Sequence, residues 1–223
     1  MPARARVPRP TAQRLSLYLR EVERLAGTGR ATVSSRGLGA AAGATEAQVR
    51  KDLAIIGRTG QPGVGYDVEA LGSAIRAAIG VHRQWSAVLV GAGNIGRALA
   101  AYRRFREEGF EIAAVFDSDP AMVGRRVSGM EVQAMDALPE FVRRREVGIG
   151  IIAVPPDAAQ QVADRLVSAG VQGILNFAPR RLQVPDRVPT VDVDFRSALE
   201  RLVLEVSQRE SDAPPRARRG RQA

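Results

Sequence analysis

The chain has 223 residues, 45% of them hydrophobic, enough to bury one good core and a smaller second one. It has no cysteine and one histidine, which excludes disulfides, thiolate metal sites, iron–sulfur clusters and thiol redox chemistry, and leaves little for a histidine metal site or acid–base pair. No apolar run reaches the roughly 18 residues of a membrane span, and residues 1–10 alternate arginine with proline where a secretory signal would be apolar, so a cytoplasmic protein with neither membrane nor metal partner is expected.

The charge is unevenly placed. Residues 1–83 carry 13 Lys+Arg against 6 Asp+Glu, residues 84–208 carry 15 against 16 and residues 209–223 carry 5 against 2, so the net +9 divides as +7, −1 and +3. A basic first third beside a near-neutral body suits separate phosphate-binding and ligand-binding domains, because each phosphate contact needs a cation. Plain abundance of arginine gives the same figures, since every basic residue except Lys51 is an arginine.

In chain order, residues 14–27 place Leu15, Tyr18, Leu19, Val22 and Leu25 at helical spacing and predict an amphipathic helix ending at Gly27. Ser35 can cap a small-residue helix through Ala42, Gly43 and Ala44 make a turn, and Thr45 opens a second helix with Gln48 in capping-box position. That is helix-turn-helix grammar. In the second helix Val49, Leu53 and Ile56 form the stripe expected to be buried, with Gln48, Lys51 and Asp52 turned elsewhere. Residues 57–66 hold four glycines and Pro62 between Arg58 and an extended Tyr66-Asp67-Val68, which predicts a tight hairpin, read as a wing. With the +7 charge these elements point to DNA binding, the alternative being a helical dimerisation module. A helix over about 69–81 links this part to the next, with the boundary near residues 82–85. His82, with no second histidine or cysteine to partner it, is expected to be a solvated or interface residue.

Ser86-Ala87-Val88-Leu89-Val90 reads as a buried parallel strand, and Gly91-Ala92-Gly93-Asn94-Ile95-Gly96 follows it directly, before Arg97 to Tyr102 continue as helix. Gly91 permits the tight turn, Gly93 lets the backbone approach a pyrophosphate and Gly96 lets helix pack on strand, while the helix N-terminus offers free N–H donors. A second strand over 112–116 ends in Asp117, 21 residues past Gly96, where a carboxylate can take both adenosine ribose hydroxyls and repel a 2′-phosphate. NAD(H) is thus preferred over NADP(H), although a sheet of this kind can also hold no nucleotide, or hold coenzyme A through its ADP portion. Further strands are expected over 147–154 and 173–177, around a helix over 158–169. Ligands lie beyond the carboxyl ends of such strands, so Val154, Pro155, Asn176, Phe177, Ala178 and Pro179 are candidates for the nicotinamide side, or else ordinary proline-terminated strand ends.

A last strand over 190–193 leads through Asp194 into a helix over 195–208 whose Ala198, Leu199, Leu202, Val203 and Val206 share one face. That stripe either meets a second subunit or closes over its own sheet. Residues 209–223 are rich in proline and arginine, without periodicity, and read as a disordered basic tail. The fold class is therefore α/β: an N-terminal winged-helix domain over 1–83, a Rossmann-like doubly wound parallel sheet over 84–194, and a C-terminal dimerisation helix over 195–208.

This combination resembles the Rex family of redox-sensing transcriptional repressors, from Thr11 to about Ser207. Gln48-Val49-Arg50-Lys51-Asp52-Leu53 and Gly63-Val64-Gly65-Tyr66 look like its recognition helix and wing. Val90 through Gly96, Phe116-Asp117, Asn176-Phe177-Ala178-Pro179 and Val193-Asp194-Phe195 are similar to its cofactor and dimer motifs. The resemblance implies a homodimer that binds an inverted-repeat operator in double-stranded DNA when NADH is scarce and releases it when NADH binds. It makes Ser35, Gln48, Arg50, Lys51, Arg58, Gly65 and Tyr66 candidate DNA contacts and brings Phe195 to the nicotinamide region. It also makes Arg20, Tyr102 and Asp194 a switch in which Asp194 pairs with Arg20 in one state and accepts the Tyr102 hydroxyl in the other. The chain departs from the family pattern at Ala54-Ile55-Ile56 and at Pro62, which stands where the wing commonly carries a basic residue. The rival readings are an NAD-dependent oxidoreductase, which would need a proton donor beside the nicotinamide, and a coenzyme A-binding protein.

Overall fold

The computed structural model describes residues 7–212 and divides into two compact units, the first running to Gln84 and including Glu107–Gly109, the second taking the rest from Trp85. The first begins with α1 (Arg9–Gly27), five residues earlier than the periodicity of Leu15 to Leu25 suggested. Pro10 lies in its first turn, where a missing N–H costs nothing because that N–H has no intrahelical partner. The short β1 (Thr32–Val33) precedes α2 (Ser35–Ala42), whose cap is Ser34 and not Ser35: Ser34 is extended and its hydroxyl accepts the Gly37 N–H at 3.1 Å. Gly43 ends α2 in the left-handed conformation, and Thr45 caps α3 (Glu46–Ile55) by accepting the Gln48 N–H at 3.2 Å.

The hairpin after α3 has Gln61 and Gly65 bridged, with Pro62, Gly63 and Val64 at its tip. Its returning arm, β2 (Tyr66–Asp67), pairs antiparallel with β1, so the wing is a two-stranded sheet to which residues 32–33 contribute an arm not foreseen from sequence. Asp67 then caps α4 (Val68–Ile79). Leu15, Tyr18, Val22, Leu38, Val49, Leu53, Leu71 and Ile75 close one core among the four helices. Ile56 is only half buried, at the edge of that core.

The second unit is a seven-stranded sheet in the order β5-β6-β4-β3-β7-β8-β9. In chain order it runs β3 (Trp85–Val90), α5 (Asn94–Ala101), the single turn α6 (Arg104–Glu107), β4 (Phe110–Asp117), β5 (Arg126–Val127), β6 (Met130–Ala134), α7 (Leu138–Arg144), β7 (Ile149–Ile152), α8 (Pro156–Ala169), β8 (Gly173–Asn176), β9 (Thr190–Asp192) and α9 (Phe195–Asp212). All pairings are parallel except β5 with β6, a hairpin turned by Ser128 and Gly129 at φ 51° and 85°. Residues 118–146 carry no long apolar run, and β5, β6 and α7 were not foreseen. β3 is buried on both faces: Val88 and Val90 pack with Phe116, Leu138 and Leu166, while Ala87 and Leu89 pack with Val115, Val132 and Ile151. This explains its unbroken apolar run.

α8 starts at Pro156, two residues before its expected start, because proline suits the first helical turn. α9 continues to Asp212, so residues 209–212, expected to belong to the tail, are helical; no proline or glycine interrupts the chain before Pro214. The rest of the expected tail, 213–223, lies outside the described residues. No helix among the described residues is long and apolar enough to cross a membrane.

The helix-turn-helix depends on a close approach at Gly39, where a Cβ would meet the Ala44 carbonyl oxygen. Gly39→Ala is therefore expected to destabilise the first unit by about 1–3 kcal/mol, read as a lower midpoint in denaturant with an unchanged slope.

Candidate functional site

In the first unit, α3 turns Ala47, Arg50, Lys51 and Ala54 outward, at the i, i+3, i+4, i+7 spacing of one helix face. Lys51 makes no ion pair among the described residues, whereas Arg50 lies 3.5 Å from Glu46, which Arg36 also holds at 2.9 Å. The hydrogen bond from Arg36, and then Arg50, keeps the Glu46 carboxyl below the usual range. Arg36 adds an exposed cation that sequence reading did not single out.

Asp52 corrects the sequence reading: it is fully buried, not turned outward with Lys51. Its Oδ2 accepts from Arg14 Nε at 2.6 Å and the Tyr18 hydroxyl at 3.0 Å, and its Oδ1 from Arg14 Nη2 at 2.8 Å, Gln48 Nε2 at 2.9 Å and the Thr11 hydroxyl at 3.2 Å. The carboxylate thus rivets α3 to α1. Burial pushes its pKa up, but the hydrogen bonds from Arg14, Gln48 and Tyr18 together outweigh that and hold it below the ordinary value. The Tyr18 hydroxyl, desolvated and donating to Asp52, is pushed up to about 12. Gln48 does not complete the capping box, because its amide turns to Asp52. No local signal foretells this cluster, since Thr11, Arg14 and Tyr18 lie 41, 38 and 34 residues from Asp52 along the chain.

Of the other expected DNA contacts, Arg58 is exposed and Ser35 half buried at the start of α2. Gly65 and Tyr66 have packing roles. Gly65, at φ 97°, lies against the Val33 carbonyl, and the Tyr66 ring is buried in the core beside Gly60. They form the base of the wing, where the hairpin must pack closely on β1.

In the second unit a cleft of about 760 Å³ opens at the carboxyl ends of β3, β4 and β7, where strand order reverses. Gly91, Ala92, Gly93, Asp117, Val154 and Pro155 line it, as expected from sequence. A Cβ on Gly91 would strike the Ala153 carbonyl at 2.5 Å, and one on Gly96 would strike the Gly91 carbonyl. These two glycines are demanded by the protein's own packing. Gly93 is different: a Cβ there meets nothing within 4 Å, so its side faces the open cleft. The loop leads into the α5 N-terminus, where no side chain caps the helix, Asn94 and Ile95 are exposed, and Asn94 Oδ1 accepts from Arg97 at 2.6 Å. Asp117 Oδ2 accepts the Ala92 N–H at 2.7 Å and Oδ1 the Asp119 N–H at 2.9 Å, which aims the carboxylate along the cleft wall. The donors, the open glycine and the carboxylate fit an ADP-containing dinucleotide.

The far wall includes Met122, Met135 and Asp136, with Arg165 of α8 reaching Asp136 at 3.4 Å. Met122, Met135 and Asp136 lie in residues 118–146, where no element was expected; the Ser128-Gly129 turn between Val127 and Met130 is the local signal of the hairpin there. Asn176, Phe177, Ala178, Pro179 and Phe195 are not among the cleft residues. Asn176 is fully buried, its Nδ2 donating to the Arg180 and Ala178 carbonyls and Asp192 Oδ1, and its Oδ1 accepting the Ala178 N–H at 3.0 Å. Its amide is consumed in holding the β8 turn. Phe195 is 58% exposed, its ring 6.3 Å from that of Phe177.

Among the switch candidates, Asp194 caps α9, accepting the Ser197 hydroxyl at 2.6 Å and the Arg196 and Ser197 N–H groups. The Ser197 hydroxyl, then these amides, holds its carboxyl below the usual range. Tyr102 ends α5, exposed, its ring edge-on to Phe105, and Arg20 is exposed on α1. Asp194 is thus engaged with its own helix, as a short carboxylate preceding free N–H groups readily is. Along α9, Leu199, Leu202, Val203, Leu204 and Val206 are each 48–62% exposed, so the stripe does not close over its own sheet.

Two family models match the chain: one described as "CoA binding domain" over residues 82–180 and one described as "Putative DNA-binding protein N-terminus" over residues 6–54. The chain is 49% identical over 201 residues to a redox-sensing transcriptional repressor Rex from Carboxydothermus hydrogenoformans, covering 90% of this chain and 97% of that one. It is 44% identical to the Rex repressor of Streptomyces coelicolor, covering 97% and 86%. Among solved structures it is similar to RSP, a Rex-family repressor, in complex with NAD+ and operator DNA (TM-score 0.86, 35% identity, 92% and 95% covered). It is likewise similar to RSP in complex with NADH (TM-score 0.82, 34% identity, 92% and 96% covered).

The depressed pKa of Asp52 sets the sign of an acid transition. Its contribution is complete above the unfolded-state value of about 4 and is lost as pH falls through the lower folded-state value. Thermal melts of the wild type should therefore show stability falling below about pH 4, and in Asp52→Asn this part of the acid loss should be gone. At pH 7 the variant should be less stable by about 3 kcal/mol, since Arg14 loses its charged partner and keeps only a neutral acceptor.

Proposed function

This chain belongs to the Rex family of redox-sensing transcriptional repressors, and from that premise we propose how its two units divide the work. It is an NADH-sensing, DNA-binding repressor that holds its operator when NADH is low and releases it when NADH binds. The observation that carries the sensing half is Gly93: the glycine is not required by packing, yet it lies at the mouth of a cleft with an uncapped helix N-terminus on one side and Asp117 on the other. A bound dinucleotide supplies a pyrophosphate, two ribose diols and a nicotinamide ring that is charged in one redox state and neutral in the other.

The backbone N–H groups from Gly93 through Gly96 donate to the pyrophosphate. Asp117 has two of its roughly four lone-pair sites in use and offers the rest to the adenosine ribose hydroxyls. Its charge disfavours a 2′-phosphate. Val154 and Pro155 form the wall leading toward the nicotinamide, and Phe177, Ala178, Pro179 and Phe195 serve its far end, with Asn176 holding that turn in shape. Among the described residues no histidine, tyrosine or lysine lines the cleft, which favours a regulator over an oxidoreductase.

On the reading side, α3 enters the major groove with Arg50 and Lys51 outward, Gln48 on its flank, and Ser35 and Arg58 at the margins. The exposed stripe of α9 is covered by a second copy, giving a homodimer whose symmetry matches an inverted repeat. Arg20, Tyr102 and Asp194 form the switch, with Asp194 exchanging its local cap for one partner or the other. The working place of such a repressor is the cytoplasm, beside its DNA.

The test is fluorescence anisotropy of an inverted-repeat duplex at fixed salt, titrated with NADH and separately with NAD+. Release at much lower NADH than NAD+ is expected; binding indifferent to both overturns the sensing role. Displacement of NADH by coenzyme A at comparable concentration would favour the coenzyme A reading. Asp117→Ala should weaken NADH binding about tenfold or more and narrow the preference for NADH over NADPH. Asp194→Ala should leave the operator bound at NADH concentrations that release the wild type.

A further inference from the structure

The first turn of α3 carries an acid beside the cations read as facing DNA. Glu46 accepts from Arg36 Nε of α2 at 2.9 Å through Oε1 and pairs with Arg50 Nη1 of its own helix at 3.5 Å through Oε2. One carboxylate thus holds two guanidinium groups, one from each helix of the helix-turn-helix. Both arginine side chains stay more exposed than the carboxylate between them, 86% and 58% against 42%. A carboxylate in a first turn suits the helix dipole, but in this place it also repels phosphates. A guanidinium has five N–H donors, and the pair with Glu46 engages Arg50 through Nη1, leaving Nε and Nη2 to face outward partners.

We propose that Glu46 is a positioning residue for DNA specificity, which presents Arg50 to a guanine and restrains Arg50 and Arg36 from phosphates. This rests on the reading of α3 as the recognition helix. To reach a phosphate on a non-operator duplex, each arginine must leave Glu46 and exchange one anion for another, so little affinity is gained. At a guanine no exchange is needed: Nε and Nη2 of Arg50 donate to O6 and N7 while Nη1 stays on Glu46. The carboxylate therefore lowers affinity for every sequence, and lowers it least where a guanine meets Arg50. Discrimination is gained at the expense of overall attraction.

The experiment compares full-length wild type, Glu46→Gln, Glu23→Gln and Arg50→Met. Wild type selects an inverted-repeat duplex from a randomised pool, and binding to that duplex and to a scrambled one is read by fluorescence anisotropy over a range of salt. Glu46→Gln should bind the scrambled duplex about fivefold more tightly, the upper value of a surface ion pair. Its salt dependence there should steepen by about 1 to 2 on logarithmic axes, as Arg36 and Arg50 reach phosphates. Affinity for the selected duplex should rise less, so the ratio between the two falls. Glu23→Gln removes the same charge and frees Arg76 on α4, away from α2 and α3, and should leave ratio and slope as in the wild type. Arg50→Met should lose a guanine preference at one position of each half-site in the pool. No gain on the scrambled duplex, equal gains on both duplexes, or the same change from Glu23→Gln overturns the proposal. So does Arg50→Met selecting the same bases as wild type, a result that stands even where Glu46→Gln fails to fold. A wild type that enriches no sequence overturns the recognition-helix reading itself.

Discussion

Gly96 packs so closely on the Gly91 carbonyl that there is no room for a single methyl group between them, and the arrangement of the second unit follows from that contact. It brings the start of α5 down onto the end of β3, at the place where strands continue outward in both directions, to β4 on one side and β7 on the other. The helix N-terminus therefore points its unpaired N–H groups into a cleft that the sheet topology has already opened. Gly91 does the same against Ala153 of the chain leaving β7, so the loop is pinned to both neighbouring connections. Gly93, between them, is left facing the cleft.

The first unit solves a similar problem with charge. Tyr18 and Asp52 are fully buried, and burying a carboxylate is costly unless its lone pairs are filled. Five donor contacts from four side chains fill them, and because the donors come from both α1 and α3, the rotation of α3 is set by a directional contact as well as by apolar packing. Valine and leucine at positions 49 and 53 would tolerate a small rotation of α3; a bidentate arginine on Asp52 does not. The outward face is left to Ala47, Arg50, Lys51 and Ala54, small residues alternating with cations, a shape that permits close approach to a phosphate-lined groove.

The two units have separate cores, each with its own set of buried side chains. The cleft and α3 therefore pack against different interiors. α9 carries a long apolar stripe that its own sheet does not cover, and its first turn is held by Asp194.

Much of this was legible in the chain. The 3.6-residue spacing of Leu15 to Leu25, the unbroken run 86–90, the GxGxxG turn with Asp117 21 residues on, and the turn at Gly43 are local patterns, and local sterics and burial are enough to read them. They determined the order of the units, the type of sheet and the place of the cleft. What they left undetermined was partner choice. Asp52 carries the same polar signature as Lys51 beside it, and only the approach of Thr11, Arg14 and Tyr18 from 34 to 41 residues away turns it into the buried centre of the first unit. Asn176 reads as a ligand contact until the Arg180 and Ala178 carbonyls and Asp192 close around it, and Tyr66 as a wing contact until β1 draws it into the core. The hairpin of β5 and β6 is short and polar, and becomes a sheet edge only because β4 is there to pair with it. Periodicity reports which side of an element is apolar; which polar group meets which is decided by distances between segments far apart in the chain, and that is settled only when the helices and strands have packed.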